Sequence, residues 1–162
     1  MNGAEKLRKI MDTVLGMLCV LLFSLMILVG TYQIAARYFF NRPSTVSEEL
    51  LTYSFTWLAL LAAAYVFGKR EHMRMGFIVD RLSAKKRFFF DLLREILVFL
   101  FSLVVMIIGG IAIMRLTMTQ VTASLGIPMG VVYAAVPLSG VLSLIYSILN
   151  IIRCTGDKHN MV

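Results

Sequence analysis

Four long apolar stretches, separated by polar connections, set the hydrophobic pattern of this chain. They cover residues 13–36, 50–67, 96–114 and 129–152, which is 24, 18, 19 and 24 residues. Each approaches or exceeds the roughly 20 residues that a helix needs to cross a hydrocarbon core about 30 Å thick. Extended by their polar flanks, they predict four transmembrane helices at 13–36, 48–68, 90–117 and 129–152.

The composition agrees with a membrane protein. Of the 162 residues, 59% are hydrophobic and only 15% are charged, and a soluble domain of this size has no interior that could hide so much apolar surface. The first stretch is longer than the apolar core of a cleaved signal peptide, so we interpret it as a retained span. The fold class that follows is an all-α integral membrane protein, with residues 1–162 forming a single membrane domain in the lipid bilayer.

The third helix is expected to be long. Its helical pattern extends over about 85–120, roughly 54 Å, so that it should tilt or project beyond the bilayer. Its first turns carry Arg87, Asp91, Arg94 and Glu95, at the three- and four-residue spacing of a helix surface. We expect these charges to form a solvated ion-pair face rather than a face for a partner. Residues 73–82, ahead of this helix, suit a short interfacial segment and a simple connecting loop equally well.

The basic residues give an orientation. Thirteen Lys and Arg lie in the N-terminal segment, the second connection with the start of the third helix, and the C-terminal tail, whereas three, Arg37, Arg42 and Arg115, lie on the other side. The positive-inside rule then predicts that both termini and the second connection are cytoplasmic. The net charge of +7 is explained by this distribution and does not indicate a nucleic-acid partner.

Catalytic chemistry has no visible basis in the sequence. The four apolar stretches contain no Asp, Glu, Lys, Arg or His; the two histidines, His72 and His159, lie outside them, and Cys19 and Cys154 have no metal-ligand spacing. A self-sufficient ion-coupled carrier usually has an intramembrane carboxylate or broken helices. We therefore expect no enzyme activity, no cofactor and no metal, and a small autonomous carrier is disfavoured.

Small residues are placed for helix packing. Ala135, Ser139, Ser143 and Ser147 recur every four residues in the last stretch, and Ala59 and Ala63 do so in the second. Such faces let membrane helices approach closely. We favour packing within this chain's own bundle over a face for another membrane protein.

The first outer connection holds the densest polar motif. Arg37 suits the negative end of the first helix, Pro43 suits a turn, and Thr45-x-x-Glu48 predicts a capping box at the start of the second helix. Glu48 and Glu49 then fall in the first helical turn. Helix capping with an Arg–Glu pair is one interpretation, and direct contact with a partner is the other.

At this point the sequence resembles a known family. The elements Arg37-Tyr38-x-x-Asn41-x-Pro43, Ser47-Glu48-Glu49 and Phe55-x-Trp57-Leu58, followed by Ala63-Ala64, Arg70-x-His72 and Leu125-Gly126-Ile127-Pro128-Met129-Gly130 with Tyr133 and Pro137, are similar to the small membrane subunit of tripartite ATP-independent periplasmic (TRAP) transporters, the DctQ-like proteins. The resemblance covers nearly the whole chain. Val46 departs from it, because a second aromatic residue is expected there.

The resemblance implies a function in the bacterial inner membrane. A periplasmic binding protein captures an organic acid such as a C4-dicarboxylate or a sialic acid, a large membrane subunit moves it with a sodium or proton gradient, and the small subunit binds and scaffolds the large one. The residues that we expect to shape the outer face or to contact partners are Arg37, Tyr38, Asn41, Arg42, Pro43, Glu48, Glu49, Trp57, Gly126, Pro128 and Tyr133. The alternative is a stand-alone four-helix membrane scaffold or a small carrier, unrelated to these transporters.

Overall fold

The computed structural model describes residues 3–39, 43–69 and 84–159. Most of the chain in these ranges is helical; the main exception is the loop at 117–128, where an isolated β-bridge joins Val121 to Pro128. The helices are α1 (Gly3–Phe39), α2 (Thr45–Lys69), α3 (Ala84–Leu100), a π-helix (Phe101–Gly109), α4 (Gly110–Leu116), α5 (Met129–Tyr133) and α6 (Ala135–His159). The predicted interfacial segment at 73–82 lies outside the described residues.

Four of these helical stretches are long and apolar enough to cross a membrane, which confirms the predicted class. The spans are Glu5–Phe39, Thr45–Lys69, Leu92–Leu116 and Met129–Ile152, numbered first to fourth below. Neighbouring spans run in opposite directions. One end of the bundle, where α1 begins and α6 ends, is called the terminal end; the other, where α1 connects to α2 and residues 117–128 lie, is called the loop end.

The first span packs on the second along one narrow seam. Positions 8, 12, 15, 19, 22, 26, 29, 33 and 36 are spaced alternately by four and three residues, and all of them are at least partly buried. This is the heptad spacing that keeps one seam of a helix facing its neighbour. Most of the remaining surface of the first span is exposed and apolar.

The fourth span is the centre of the bundle. The main contacts join the first span to the second, the second to the fourth, and the fourth to the third. Leu15, Leu61 and Tyr146 form a buried core between the first, second and fourth spans, and Trp57 packs against it. Of the most apolar window of each span, 39% of residues are buried in the fourth, against 6% in the first and 11% in the third.

The third and fourth spans approach each other closely because glycines lie at their contacts. A Cβ atom built on Gly140 would lie 2.7 Å from Cβ of Met106, and one built on Gly110 would lie 2.9 Å from Cδ of Pro137. The third span is π-helical over Phe101–Gly109, which includes Met106, and returns to α-helical geometry at Gly110. Ala84–Leu116 is thus one continuous helical segment, long as predicted, although it ends at Leu116 and not near residue 120.

Candidate partner-contact and packing sites

The start of α2 is capped by Ser44, one residue earlier than expected. The Ser47 amide donates to Ser44 Oγ at 3.3 Å, and the Glu48 amide donates to the Ser44 carbonyl oxygen at 3.3 Å. Thr45 is instead the first helical residue and is exposed. The predicted Thr45–Glu48 capping box is therefore wrong. Both Ser44 and Thr45 are good capping residues, and the local sequence does not distinguish between them.

Glu49 binds the loop at residues 117–128. Its carboxylate accepts hydrogen bonds from the backbone amides of Ala123 at 3.1 Å, Ser124 at 2.9 Å and Leu125 at 2.7 Å, and from the Tyr53 hydroxyl at 2.8 Å. Three consecutive amides around one carboxylate form an anion-binding concavity of the kind that turns provide. Glu49 thereby joins the start of α2 to a loop more than 70 residues away in the sequence.

The loop itself is a tight, hairpin-like turn. The Thr122 amide donates to the Ile127 carbonyl at 2.9 Å, the Ile127 amide donates to Thr122 Oγ1 at 3.1 Å, and the Met129 amide donates to the Gln120 carbonyl at 2.8 Å. Gly126 has a φ of +67°, the left-handed region that favours glycine. Pro128 directly precedes α5, where its lack of an amide hydrogen is tolerated. Two predicted loop residues, Gly126 and Pro128, thus have defined backbone roles.

The other predicted outer residues are not gathered into one cluster. Arg37, Tyr38, Pro43 and Glu48 are exposed, Tyr38 at 76% of its surface. Within the described ranges, no ion pair joins Arg37 to Glu48 or Glu49. Asn41 and Arg42 lie outside the described residues.

Two of the predicted aromatic residues occupy different environments. Trp57 packs against the core cluster between the first, second and fourth spans, so its side chain is committed to internal packing. Tyr133 ends α5 near the loop end and is 37% exposed. Of the two, Tyr133 has surface available for another protein.

The small-residue face of the fourth span is turned into the bundle. Ala135 and Ser139 are 0% exposed, Ser143 is 3% exposed and Ser147 is 1% exposed. Ser139 Oγ donates to the Val136 carbonyl at 2.9 Å, and Ser147 Oγ donates to the Glu95 carbonyl at 2.9 Å. The helices of this chain therefore use this face themselves, and it is not available to a second protein.

Glu95 corrects the expectation of a solvated ion-pair face. It is 4% exposed, lies within the third span, and its Oε1 accepts a hydrogen bond from Arg94 Nη2 at 2.9 Å. Its Oε2 lies 3.5 Å from Ser147 Oγ on the fourth span. The sequence offered one signal for this burial: Glu95 is followed at seven residues by Ser102, and the facing helix carries a stripe of serines. The side chains of Arg87 and Asp91 are outside the description.

A second cluster of polar residues at the terminal end joins the first, second and fourth spans. The Tyr146 hydroxyl donates to Asp12 Oδ1 at 2.6 Å, and Arg8 donates to the Gly68 carbonyl at 2.5 Å and to Asn150 Oδ1 at 3.4 Å. Tyr146 and Asn150 are almost fully buried. Hydrogen bonds between spans fix the pairing of helices where water does not compete. Sequence reasoning missed these residues because each of the charged ones lies just outside an apolar stretch.

The described residues contain no group of three His, Cys, Asp or Glu side chains that could hold a metal ion. What the fold provides is four packed membrane helices whose polar groups tie the helices to one another. Such an arrangement defines a multi-pass α-helical membrane protein.

Comparison with known families shows which group of membrane proteins the chain is related to. The family model described as "Tripartite ATP-independent periplasmic transporters, DctQ component" matches residues 26–156. The match covers most of the chain, and the chain belongs to this family.

Relatives of known name agree with the family. The chain is 27% identical over 142 residues to a Haemophilus influenzae protein that bears the provisional name TRAP transporter small permease protein, covering 85% of each chain. It is 30% identical over 105 residues, 65% of this chain and 61% of the other, to the sialic acid TRAP transporter small permease protein SiaQ of Vibrio cholerae. A second such protein of H. influenzae is 25% identical over 156 residues, 94% of each chain.

Family membership establishes the coarse function. The chain is a small membrane subunit of a TRAP transporter, which works with a large membrane subunit, and it is a transport component and not an enzyme. Together with its four apolar helices, the family makes it a multi-pass protein of the inner membrane.

Proposed function

We propose that the chain scaffolds the large subunit of its transporter. In this proposal the large subunit moves an organic acid with a sodium or proton gradient, and the small subunit enlarges and anchors the static frame against which the moving part slides. The chain itself contacts neither the substrate nor the coupling ion.

The observation that carries this proposal is the unequal burial of the spans. The first span is attached to the second along a single heptad seam, and few residues of the first and third spans are buried within the chain. The fourth span, by contrast, is packed on the second and third. A stable centre with two apolar outer helices suits a subunit that packs against another membrane protein in the bilayer.

The internal contacts favour a static subunit over a moving one. The terminal end joins all four spans through Arg8, Asp12, Glu95, Tyr146 and Ser147. The loop end is held by Glu49. Because both ends of the bundle are cross-connected, relative sliding of the helices would break several hydrogen bonds at once, among them the buried one from Ser147 to Glu95.

The orientation in this proposal places the terminal end in the cytoplasm. In the sequence, 13 of the 16 Lys and Arg lie in the N-terminal segment, the second connection with the start of the third helix, and the C-terminal tail, and the positive-inside rule favours the cytoplasm for such segments. The loop end, with residues 117–128 and the first outer connection, then faces the periplasm, where a substrate-binding protein would approach. Tyr38, Tyr133 and the Gly126–Pro128 turn are the exposed features available for such a transient contact.

The substrate is proposed only as an organic acid. The name of the Vibrio cholerae relative, SiaQ of a sialic acid transporter, makes a sialic acid one member of that class to test, beside C4-dicarboxylates. Uptake into cells that carry the complete transporter, with and without this chain, would test the role. Loss of uptake with the large subunit still present in the membrane supports the scaffold; unchanged uptake contradicts it.

A further inference from the structure

The loop that joins the third and fourth spans carries no charge. Residues 116–152 contain no Asp, Glu, Lys, Arg or His, so the loop at 117–128 is uncharged over its whole length. Leu116, Val121 and Ile127 are nonetheless exposed, Val121 at 63% of its surface. Connections that face water usually consist of polar and charged residues. The composition of this loop therefore suits a different environment.

The backbone of the loop is largely hydrogen-bonded within the chain. Of the eleven amide groups in residues 117–128, eight donate to atoms of this chain. Three of them donate to the Glu49 carboxylate, and Thr122 and Ile127 each donate an amide hydrogen bond to the other. A non-helical segment needs such internal partners where water is scarce, because an unpaired amide is costly there. The loop is thus prepared for surroundings less polar than water.

Glu49 fixes the depth of the loop. It lies four residues inside the second span, Thr45–Lys69, and its carboxylate holds the amides of residues 123–125. The turn therefore folds back to the level of the first turns of that span. The span has 25 residues, about 37 Å of helix, against a hydrocarbon core of about 30 Å. Glu49 and the turn that it holds then lie near the boundary between acyl chains and headgroups.

The bilayer matches this loop better than another protein does. The boundary between headgroups and acyl chains accepts apolar and uncharged polar side chains together. The loop presents both kinds, since Thr119 and Gln120 are exposed and precede the exposed Val121. The large subunit is the other available cover. Glu49, however, ties the turn to the second span, whereas the scaffold proposal assigns the outer faces of the first and third spans to that subunit.

We propose that the loop at 117–128 is immersed in the headgroup layer of the bilayer, with its exposed apolar side chains at the boundary of the acyl chains. The partner of this surface is the lipid itself. Interfacial residues fix the depth and tilt of the spans that they join. Immersion of the loop would therefore anchor the third and fourth spans in the membrane, independently of the scaffold role.

The test measures the accessibility of a spin label on the loop. Val121→Cys is introduced into the full-length chain with Cys19→Ser and Cys154→Ser, labelled with a nitroxide, and reconstituted in nanodiscs of phosphatidylethanolamine and phosphatidylglycerol. Collisions with oxygen, which concentrates among acyl chains, are compared with collisions with a water-soluble nickel complex. The control label is at Pro43→Cys, an exposed site ahead of the second span. We expect the label at 121 to meet the nickel complex several times less often than the label at 43, and oxygen more often.

A second label and a second preparation keep the test decisive. Ile127→Cys, on the other side of the turn, should behave like Val121→Cys, so that a disturbance by one label does not determine the result. Both labels are measured in the chain alone and with the large subunit bound, and the proposal requires few nickel and many oxygen collisions in both preparations. Nickel collisions equal to those at residue 43 overturn it and place the loop in water. Shielding that appears only with the large subunit, or oxygen collisions that this subunit abolishes, overturns it in favour of a protein interface.

Discussion

The Glu49 carboxylate accepts a hydrogen bond of 2.7 Å from the amide of Leu125, which lies 76 residues further along the chain. The same carboxylate accepts hydrogen bonds from the amides of Ala123 and Ser124, and so joins the start of α2 to the loop at residues 117–128. Its neighbour Glu48 is exposed and forms no such contact. Two adjacent glutamates therefore have different roles, and their comparison is a controlled experiment.

Replacing Glu49→Gln should loosen the loop at residues 117–128. A glutamine has only one acceptor oxygen and no charge, so it cannot satisfy three amides and the Tyr53 hydroxyl together. We expect faster hydrogen exchange at Ala123, Ser124 and Leu125 than in the unmodified protein, measured by mass spectrometry on the detergent-solubilised chain. Glu48→Gln is the matched control and should leave these amides protected. Equal exchange in the two variants would show that Glu49 does not hold the loop.

Gly68 should tolerate no side chain. A Cβ atom at this position would lie 2.5 Å from two ring carbons of Tyr146, which is 1% exposed. We expect Gly68→Ala to destabilise the bundle by about 1–3 kcal/mol, the usual cost of overpacking a core. Thermal unfolding followed by the fluorescence of Trp57, the single tryptophan and a neighbour of this core, measures the effect. Gly30, which has open space around it, is the control: Gly30→Ala should not lower stability.

The hydrogen bond between Tyr146 and Asp12 should stabilise the pairing of the first and fourth spans. Tyr146→Phe keeps the ring and removes only the hydroxyl, which donates to Asp12 at 2.6 Å. Losing a hydrogen bond to a charged group costs about 1.5–3 kcal/mol, and the same thermal unfolding assay would detect this as a lower midpoint. Tyr38→Phe, at a site 76% exposed, should not change the midpoint. If the two variants unfold alike, the Tyr146–Asp12 contact adds nothing to stability.

The apolar pattern was sufficient to predict the four spans. A helix in lipid must be continuously apolar and about 20 residues long, so the local sequence alone determines it. The same pattern misplaced Glu95, because a charge one residue outside an apolar stretch looks solvated. Its burial depends on packing against Ser147, which lies 52 residues further along the chain. A rule based on neighbouring residues cannot predict such a contact.

At the loop end too, some features follow from the local sequence and others depend on residues far away in the chain. Gly126 and Pro128 were predicted as loop-shaping residues, and their backbone conformation follows from their own chemistry. Glu49 was predicted together with Glu48, as an acid of the first helical turn that pairs with an arginine or contacts a partner, and its binding of the loop at 123–125 was not predicted. Its selection over Glu48 depends on which way α2 faces the loop at 123–125, and that is decided by packing of the whole bundle.

A cross-link between the third and fourth spans tests whether the subunit is static. Met106 of the third span faces Gly140 of the fourth. A Cβ atom built on Gly140 would lie 2.7 Å from Cβ of Met106. A disulfide needs about 3.5–4.5 Å, so Met106→Cys/Gly140→Cys requires only a small separation of the helices. In a chain with Cys19→Ser and Cys154→Ser, oxidation should leave uptake by the assembled transporter nearly unchanged. Loss of uptake that a reductant restores would mean that these helices must move during transport.

The most direct test of the scaffold role is co-purification with the large subunit combined with uptake. The tagged chain is expressed with the large membrane subunit of its own transporter and solubilised mildly. The molecular mass of the eluted complex is measured, and the complex is then reconstituted with its binding protein for uptake assays. The scaffold account predicts one stoichiometric complex of the two subunits, and substrate uptake that is lost when this chain is omitted. A chain that elutes alone, with a large subunit that transports equally well without it, would contradict the account.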